Sequence, residues 1–436
     1  MGEIITLYQI RYKSHHDASR RLKDCFTIEV DKEKYLKEVL SKPSLRKRVI
    51  YIHVPFCNKI CSFCPFNFPN KIRRDTYDQR LIEEMDKIKD FPYFDTEIDA
   101  INFGGGTPTA LKPKQMENIL SALHDKFKIK KDAEISVETS ISELSTEMLT
   151  VLKKEGVNRF SIGVQTFNNK ARKMMNRRGT GEAAITKIKE VLAMGFKNTS
   201  LDLIYNYPNQ TEADLLNDLK IIKELKVAGI SFYSLSLFPK TKLAQTISEK
   251  DKESMENLTH EQNLFNLIVN ELAKAHYTPL ELTKLVRDNI DKYDYMNIKH
   301  NNGCCIALGH GAGGNIENYI YRNSYDYHNL ATLPIPAMGR IVSDEYFKLD
   351  KMIYQMEKGH VNLKEYSTLL NLDLETMLKG FIDKLEKEKL ITYQNSILSL
   401  TLSGMFFGNN IIADLIDVII DSLTKNHQVD YSLKTN

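Results

Sequence analysis

Apolar and polar positions follow two rhythms along the first 240 residues. Six short runs rich in β-branched and aromatic residues predict strands: RVIYIHV (48–54), IDAINF (98–103), AEISVET (133–139), NRFSIGV (158–164), TSLDLIY (199–205) and GISFYSLSL (229–237). Between them lie longer stretches with apolar residues near helical spacing, such as YDQRLIEEMDKIKDF, LKPKQMENILSALHDKF, EAAITKIKEVLAMGF and EADLLNDLKIIKELK. Strand–helix alternation implies parallel strands joined by crossover helices. Six such units predict an α/β fold, either a partial barrel or an open sheet. In both, the site lies at the C-terminal ends of the strands.

After residue 240 the pattern changes. Residues 250–276 read as helical and 292–340 as loop-rich, with Gly, Asn, Tyr and Pro. Residues 344–387 read as three helices, and ITYQNSILSLTLSG as a hairpin turning at Gln394 and Asn395. Three helices and a hairpin resemble a winged helix. Its helices mix acidic and basic residues without a basic stripe, so a packing or lid module is expected and nucleic acid is not. The expected division is an N-terminal extension (1–45), an α/β core (46–285) and a C-terminal, mostly helical, substrate-covering domain (286–436).

Charge adds little. The 60 basic and 57 acidic residues nearly balance, at a net +3 over 436 residues. That gives no footprint for nucleic acid or an anionic membrane. The N-terminus lacks the basic start and apolar stretch of a signal peptide, and no apolar run is long enough to span a bilayer. A cytoplasmic location is expected, where clustered cysteines read as metal or catalytic groups before disulfides.

HVPFCNKICSFCPF (53–66) holds three of the six cysteines, Cys57, Cys61 and Cys64, in the loop after the first predicted strand. Structural zinc wants four closed ligands, and His53 sits back in the strand. Three buried, unliganded thiols are a second reading. A [4Fe–4S] cluster is the third, and here three thiolates leave one iron open to a substrate or cofactor. NFGGGTPT (102–109) ends the second strand. Its three glycines allow a close approach to the backbone, and its N–H groups suit an anion. Glu138, Gln165 and Asp202 lie at or near the ends of later strands, and Arg177 follows in MMNRRG.

The C-x3-C-x2-C spacing, with Phe63 before the third cysteine, resembles the signature of the radical S-adenosylmethionine (SAM) superfamily. GGGTP resembles the form found in its oxygen-independent coproporphyrinogen III oxidase-like branch. The resemblance covers roughly residues 46–240 and, more loosely, the rest. It implies a partial (β/α)6 TIM-like barrel. It also implies a [4Fe–4S] cluster on Cys57, Cys61 and Cys64, whose open iron binds SAM, and two SAM molecules in all. Tyr51, Phe63, Gly105, Gly106, Thr107, Glu138, Gln165, Arg177, Asp202 and Ser236 match positions that contact one SAM or the other. Gln165, Arg177 and Asp202 are the candidates for orienting the second.

Within the branch the chain departs from the oxidases, which carry a further cysteine where Phe66 stands. It also departs from the haem chaperones, whose HNxxYW-like segment is here HNNGCC (300–305), in a chain with no tryptophan. CCIALGHGAGGNIENYIY (304–321) is similar to the anaerobic haem-degrading methyltransferases, the anaerobilin synthases. That resemblance implies methylation and opening of the haem ring to a linear tetrapyrrole with release of iron. A deoxyadenosyl radical made from the first SAM would activate the methyl of the second. Haem or a related tetrapyrrole is the implied substrate, and a flavodoxin or ferredoxin the implied electron donor. An oxidase-like enzyme or a haem chaperone is the alternative. His310, Gly311, Gly313, Gly314 and Tyr319 are the candidate substrate contacts. Cys304 and Cys305 read as small apolar residues, and Lys71, Arg73 and Arg74 as solvated surface charge.

Overall fold

The structure is a computed structural model that describes residues 7–14, 21–66, 72–324 and 329–426. The chain divides into two compact units, residues 29–341 and residues 1–28 with 342–436.

In the larger unit all six predicted strands form: β1 (Arg48–Val54), β2 (Ile98–Gly105), β3 (Ile129–Ser140), β4 (Arg159–Gln165), β5 (Asn198–Tyr205) and β6 (Gly229–Ser234). They pair in sequence order and all in parallel. Amphipathic helices cross between them, among them α1 (Tyr77–Ile88), α2 (Pro113–Lys126), α3 (Thr146–Lys154), α4 (Asn169–Met174), α5 (Gly181–Ala193) and α6 (Glu212–Leu225). Thr211 and Asp214 form a reciprocal capping box at the start of α6, which satisfies backbone donors that a helix start otherwise leaves open. This is the parallel α/β architecture of the expected partial barrel.

The stretch read as loop-rich is instead ordered. The short helix α7 (Asp294–Lys299) is followed by β7 (Cys304–Leu308), β8 (Gly313–Ile316) and β9 (Tyr319–Arg322). β7 pairs in parallel with β1, so a seventh parallel strand extends the sheet on the far side of the first. β8 and β9 continue it antiparallel. Short strands with scattered glycines carry little periodicity, which is why the pattern missed them. The expected boundaries after residues 45 and 285 therefore fall inside this unit.

Residues 291–299 lie against the barrel's floor. The Asp291 carboxylate accepts from Arg159 Nε and Nη2 (both 2.9 Å) and pairs with Lys284 Nζ at 3.1 Å. All three are buried. Glu134 accepts from the backbone N–H groups of Asp294 (3.2 Å) and Tyr295 (3.1 Å), which anchors α7. Tyr295 then packs with Val49, Ala100 and Cys305. Cys304 and Cys305 are fully buried, as small apolar residues would be.

The smaller unit contains α8 (Asp344–Glu357), β10 (His360–Asn362), α9 (Leu363–Leu370), α10 (Leu374–Lys387), β11 (Ile391–Gln394) and β12 (Ile397–Leu400). The three strands pair antiparallel in the order β10-β12-β11, a winged-helix arrangement. The hairpin turns at Asn395 and Ser396, both at positive φ, one residue later than expected. The N-terminal segment belongs to this unit: Arg11 Nε donates to Phe406 O (2.6 Å), and Arg21 pairs with Asp417 and Asp421. Among the described residues no helix is long and apolar enough to cross a membrane.

Candidate active site

The cysteine loop leaves β1 at the C-terminal end of the barrel and is fastened from two sides. On one, the glycine turn after β2 docks against it: Gly106 N–H donates to Val54 O (2.9 Å) and Thr107 N–H to Phe56 O (2.7 Å). On the other, Ser62 N–H donates to Met175 O (3.1 Å), Ser62 Oγ to Met174 O (2.8 Å) and Asn176 Nδ2 to Ile60 O (2.7 Å). Phe63, with Met174 and Leu237, packs on a buried cluster that includes Met175, Ile204 and Tyr207. The loop is therefore tied to α4, to the MMNRRG segment and to the chain after β6.

The glycines of the turn serve this packing first. A Cβ on Gly104 would lie 2.9 Å from the Glu138 carboxylate and the Tyr51 ring. One on Gly105 would meet the His53 ring at 2.7 Å, and one on Gly106 would meet Phe56 O at 2.6 Å. The expected role, close approach to a ligand, thus has a structural requirement beside it.

Arg177 reaches the cysteines. Its Nη1 donates to Cys61 Sγ (3.3 Å), and its Nη2 donates to Ser140 Oγ (3.1 Å) and to the Gly163 carbonyl. A residue that the sequence reading passed over holds it there. Buried Arg172 donates to the carbonyls of Val164 (3.0 Å), Thr166 (3.1 Å), Arg178 (2.7 Å) and Gly179 (3.0 Å), folding the segment around itself. Gln165 ends β4 at φ 71°, where the β4–β5 register shifts. That backbone, costly for a residue with a Cβ, brings Gln165 Nε2 to within 3.0 Å of where a Gly163 Cβ would stand.

Cys57 Sγ lies 3.3 Å from Thr107 Oγ1. Burial pushes the Cys57 thiol up to about 11 and raises Cys64 as well. Thiols in such a place become thiolates when a metal takes them. Among the described residues no three His, Cys, Asp or Glu side chains converge on a single ion position. A four-iron cluster takes its thiolates on different irons and needs no such convergence.

Two carboxylates stand deeper in the lumen. Glu138 accepts from Asn102 Nδ2 (3.2 Å) and Asp202 from Ser161 Oγ (3.0 Å). Burial raises both, and the Asp202 charge raises Glu138 further. The exposed side of β6 adds Tyr233, which the Asp202, Glu281 and Glu138 charges reach. Its neighbour Phe232 points outward onto Phe265 (5.5 Å between rings), so strand alternation turns Tyr233 inward. That period-two signal was available in the sequence. Ser236 is half-buried, two residues beyond the strand's end.

The glycine loop 309–311 follows β7 and reaches the same mouth. Gly309 N–H donates to Glu84 Oε2 (2.7 Å) and His310 N–H to the Tyr77 hydroxyl (3.0 Å), which itself donates to His53 O (2.8 Å). A Cβ on Gly311 would stand 3.5 Å from His53 Nε2. His53, hydrogen-bonded through Nδ1 to the Tyr51 hydroxyl (3.0 Å), is pushed down to about 4 by burial and by the nearby His310 and Arg322. His310 and Gly311 are thus at the mouth. The other substrate candidates are elsewhere. Tyr319 is fully buried, with its hydroxyl on Pro336 O and its ring stacked on Tyr321 (6.1 Å). A Cβ on Gly314 would strike Cys305 O at 2.2 Å, so that glycine is required by strand packing. Gly313 is exposed on β8, paired with Arg322. Of the cations after the cysteines, Arg73 pairs with Asp75, Arg74 donates to Asn58 Oδ1 (2.6 Å), and Lys71 lies outside the described residues.

A family model described as the radical SAM superfamily matches residues 51–237. A haem chaperone HemW from Buchnera aphidicola subsp. Schizaphis graminum is 32% identical over 277 residues, 61% of this chain and 70% of that protein. The chain belongs to the radical SAM superfamily, in its coproporphyrinogen-oxidase-like branch. An anaerobilin synthase from Escherichia coli O157:H7 is 29% identical over 386 residues, covering 86% of this chain and 85% of the relative. The solved structure of coproporphyrinogen III oxidase (HemN) from Escherichia coli superposes with a TM-score of 0.74 at 21% identity, covering 94% of this chain and 97% of the other. It therefore shares the radical SAM fold. Members of this superfamily work with a [4Fe–4S] cluster and SAM. The thiols of Cys57, Cys61 and Cys64, with an arginine on one and a hydroxyl on another, fit such a cluster.

Proposed function

We propose that this radical SAM protein is an enzyme that methylates and opens the haem ring to a linear tetrapyrrole, using two SAM molecules and releasing iron. The observation that carries this reading is the meeting of three parts at one barrel mouth: the cysteine loop, the Gln165–Arg177–Asp202 side of the lumen, and the His310 loop. The anaerobilin synthase, alignable along most of both chains, supports the choice of substrate.

Cys57, Cys61 and Cys64 hold the cluster, which supplies the electron that cleaves SAM. Tyr51, Phe63 and Glu138 line the first SAM, with Gly105, Gly106, Thr107 and Ser236 among the contacts to the pair. Gln165, Arg177 and Asp202 orient the second. Glu138 and Asp202, whose charge burial disfavours, gain most from a cationic sulfonium beside them. Arg177 spans the cysteine loop and the ends of β3 and β4, so it sets the distance between the two reacting centres, a proximity task. His310 and Gly311 contact the macrocycle, and the His310 imidazole is the candidate ligand for its iron. A small reduced flavoprotein or iron–sulfur protein supplies the electrons.

The test is an anaerobic assay of the reconstituted protein with haem, excess SAM and reductant. Loss of the Soret band together with 5′-deoxyadenosine and S-adenosylhomocysteine is expected. Deoxyadenosine alone would replace the proposal with oxidase-type chemistry. Reversible haem binding with neither product would favour a chaperone. That second reading rests on the likeness to the haem chaperone HemW of Buchnera aphidicola.

A further inference from the structure

Resting on that reading, we propose that Arg322, on the rim beside His310, binds the carboxylate side chains of the substrate and so fixes which edge of the macrocycle points out of the barrel. Arg322 ends β9 and is exposed. Its Nε donates to Gly311 O (3.2 Å), which fixes the start of the guanidinium against the glycine loop. Among the described residues no carboxylate pairs with it, while most other cations near the mouth are engaged. Arg177 is on Cys61, Arg74 on Asn58, and Arg73 on Asp75. Its outer N–H groups are a two-pronged donor of the geometry that carboxylates take in pairs.

The position suits an anionic edge and no other part of the ligand. The Gly311 carbonyl that anchors Arg322 belongs to a glycine whose Cβ would stand 3.5 Å from His53 Nε2, which puts the guanidinium at the mouth. Arg80 bears on His310 from the α1 side. It is paired at 3.2 Å with Glu84, whose other oxygen already accepts from Gly309. Below the rim the lumen is acidic, with Glu138 and Asp202. An acid-bearing planar ligand is repelled edge-first from that lumen and attracted at the rim. Its acid groups therefore stay outside on Arg322, while the ring lies against Gly311 and His310 over the cofactors. Burying an unpaired propionate deeper would cost far more than leaving it at the rim.

The experiment titrates the cluster-reconstituted full chain, with SAM, against metal-free deuteroporphyrin IX and its dimethyl ester, following porphyrin fluorescence. Iron-free probes separate this contact from any ligation by His310. The diacid is expected to bind roughly tenfold tighter than the ester, a modest gain because the arginine is solvated. Arg322→Gln is expected to bring the diacid down to the ester's affinity and to leave the ester unchanged. Arg322→Lys should restore only part, since it keeps the charge and loses the fork. Cluster absorbance checks that each variant is loaded. Equal binding of diacid and ester by the unaltered protein, or undiminished diacid binding by Arg322→Gln, overturns this proposal and leaves the haem reading standing. Failure of the unaltered protein to bind either porphyrin overturns this proposal, and failure to bind haem as well overturns both.

Discussion

Replacing Asp291 by alanine removes the anion from a buried triad and leaves two cations behind. Asp291 accepts two hydrogen bonds from Arg159 at 2.9 Å, one from Ser200 Oγ at 3.2 Å and one from Tyr293 N–H at 3.1 Å, with Lys284 Nζ at 3.1 Å. The Arg159 and Lys284 side chains are 2% and 3% exposed, so water cannot take over. Glu134, 3.8 Å from Arg159 Nε, is a weak substitute. Breaking a buried pair from one side costs about 3–5 kcal/mol. In a unit of roughly 300 residues, unfolding entropy converts this to a melting-point loss of about 5–8 °C. The assay is chemical denaturation with a thermal scan, for Asp291→Ala and for a triple variant, Arg159→Met with Asp291→Leu and Lys284→Met. The triple variant should recover most of the loss, because hydrophobic replacements need no desolvation offset. The sign of the pH dependence follows from the depressed Asp291 carboxyl, held down against burial by Arg159 and Lys284. Its stabilisation is present above the ordinary carboxylate value of about 3.9 and is lost as pH falls toward the lowered folded one. The gap between wild type and Asp291→Ala should thus stay level from neutral pH to mild acid and shrink in strong acid. A loss under about 1 kcal/mol, or a triple variant as unstable as the single, would refute the reasoning.

Cys57→Ala is expected to abolish both the brown cluster absorbance and SAM cleavage; retention of both would sink the cluster assignment. Gly106→Ala puts a methyl 2.6 Å from Phe56 O, and should lower iron bound per chain after reconstitution while the fold, by circular dichroism, persists. Gln165→Ala or Asp202→Ala should reduce S-adenosylhomocysteine formation more than SAM cleavage at the cluster; equal losses would refute the division between the two SAM sites. Asp218, raised to about 6 by burial, accepts from Thr166 Oγ1 and Phe167 N–H. A raised carboxyl favours folding below its unfolded value and loses that share as pH rises through 6, so Asp218→Asn should flatten stability across that interval in denaturant titrations.

The six parallel strands, the crossover helices and the winged-helix unit were legible in the sequence because periodicity is local. Each segment's own apolar spacing states which face is buried. The cysteine triplet was legible for a similar reason, since its three members are neighbours in one loop of the chain. The tertiary structure decided what depends on residues far apart. Cys304–Leu308 becomes a seventh parallel strand only because β1 offers it an edge. Asp291 becomes the floor of the barrel only because Arg159, 132 residues away, is buried opposite it. Tyr319 and Gly314 looked like ligand contacts beside glycines, yet both are consumed by packing. Arg172 and Arg322 carried no signal at all. An arginine's spacing says nothing about whether it will fold a loop around itself or reach from a strand end to a glycine loop; only the groups that surround it in space determine that.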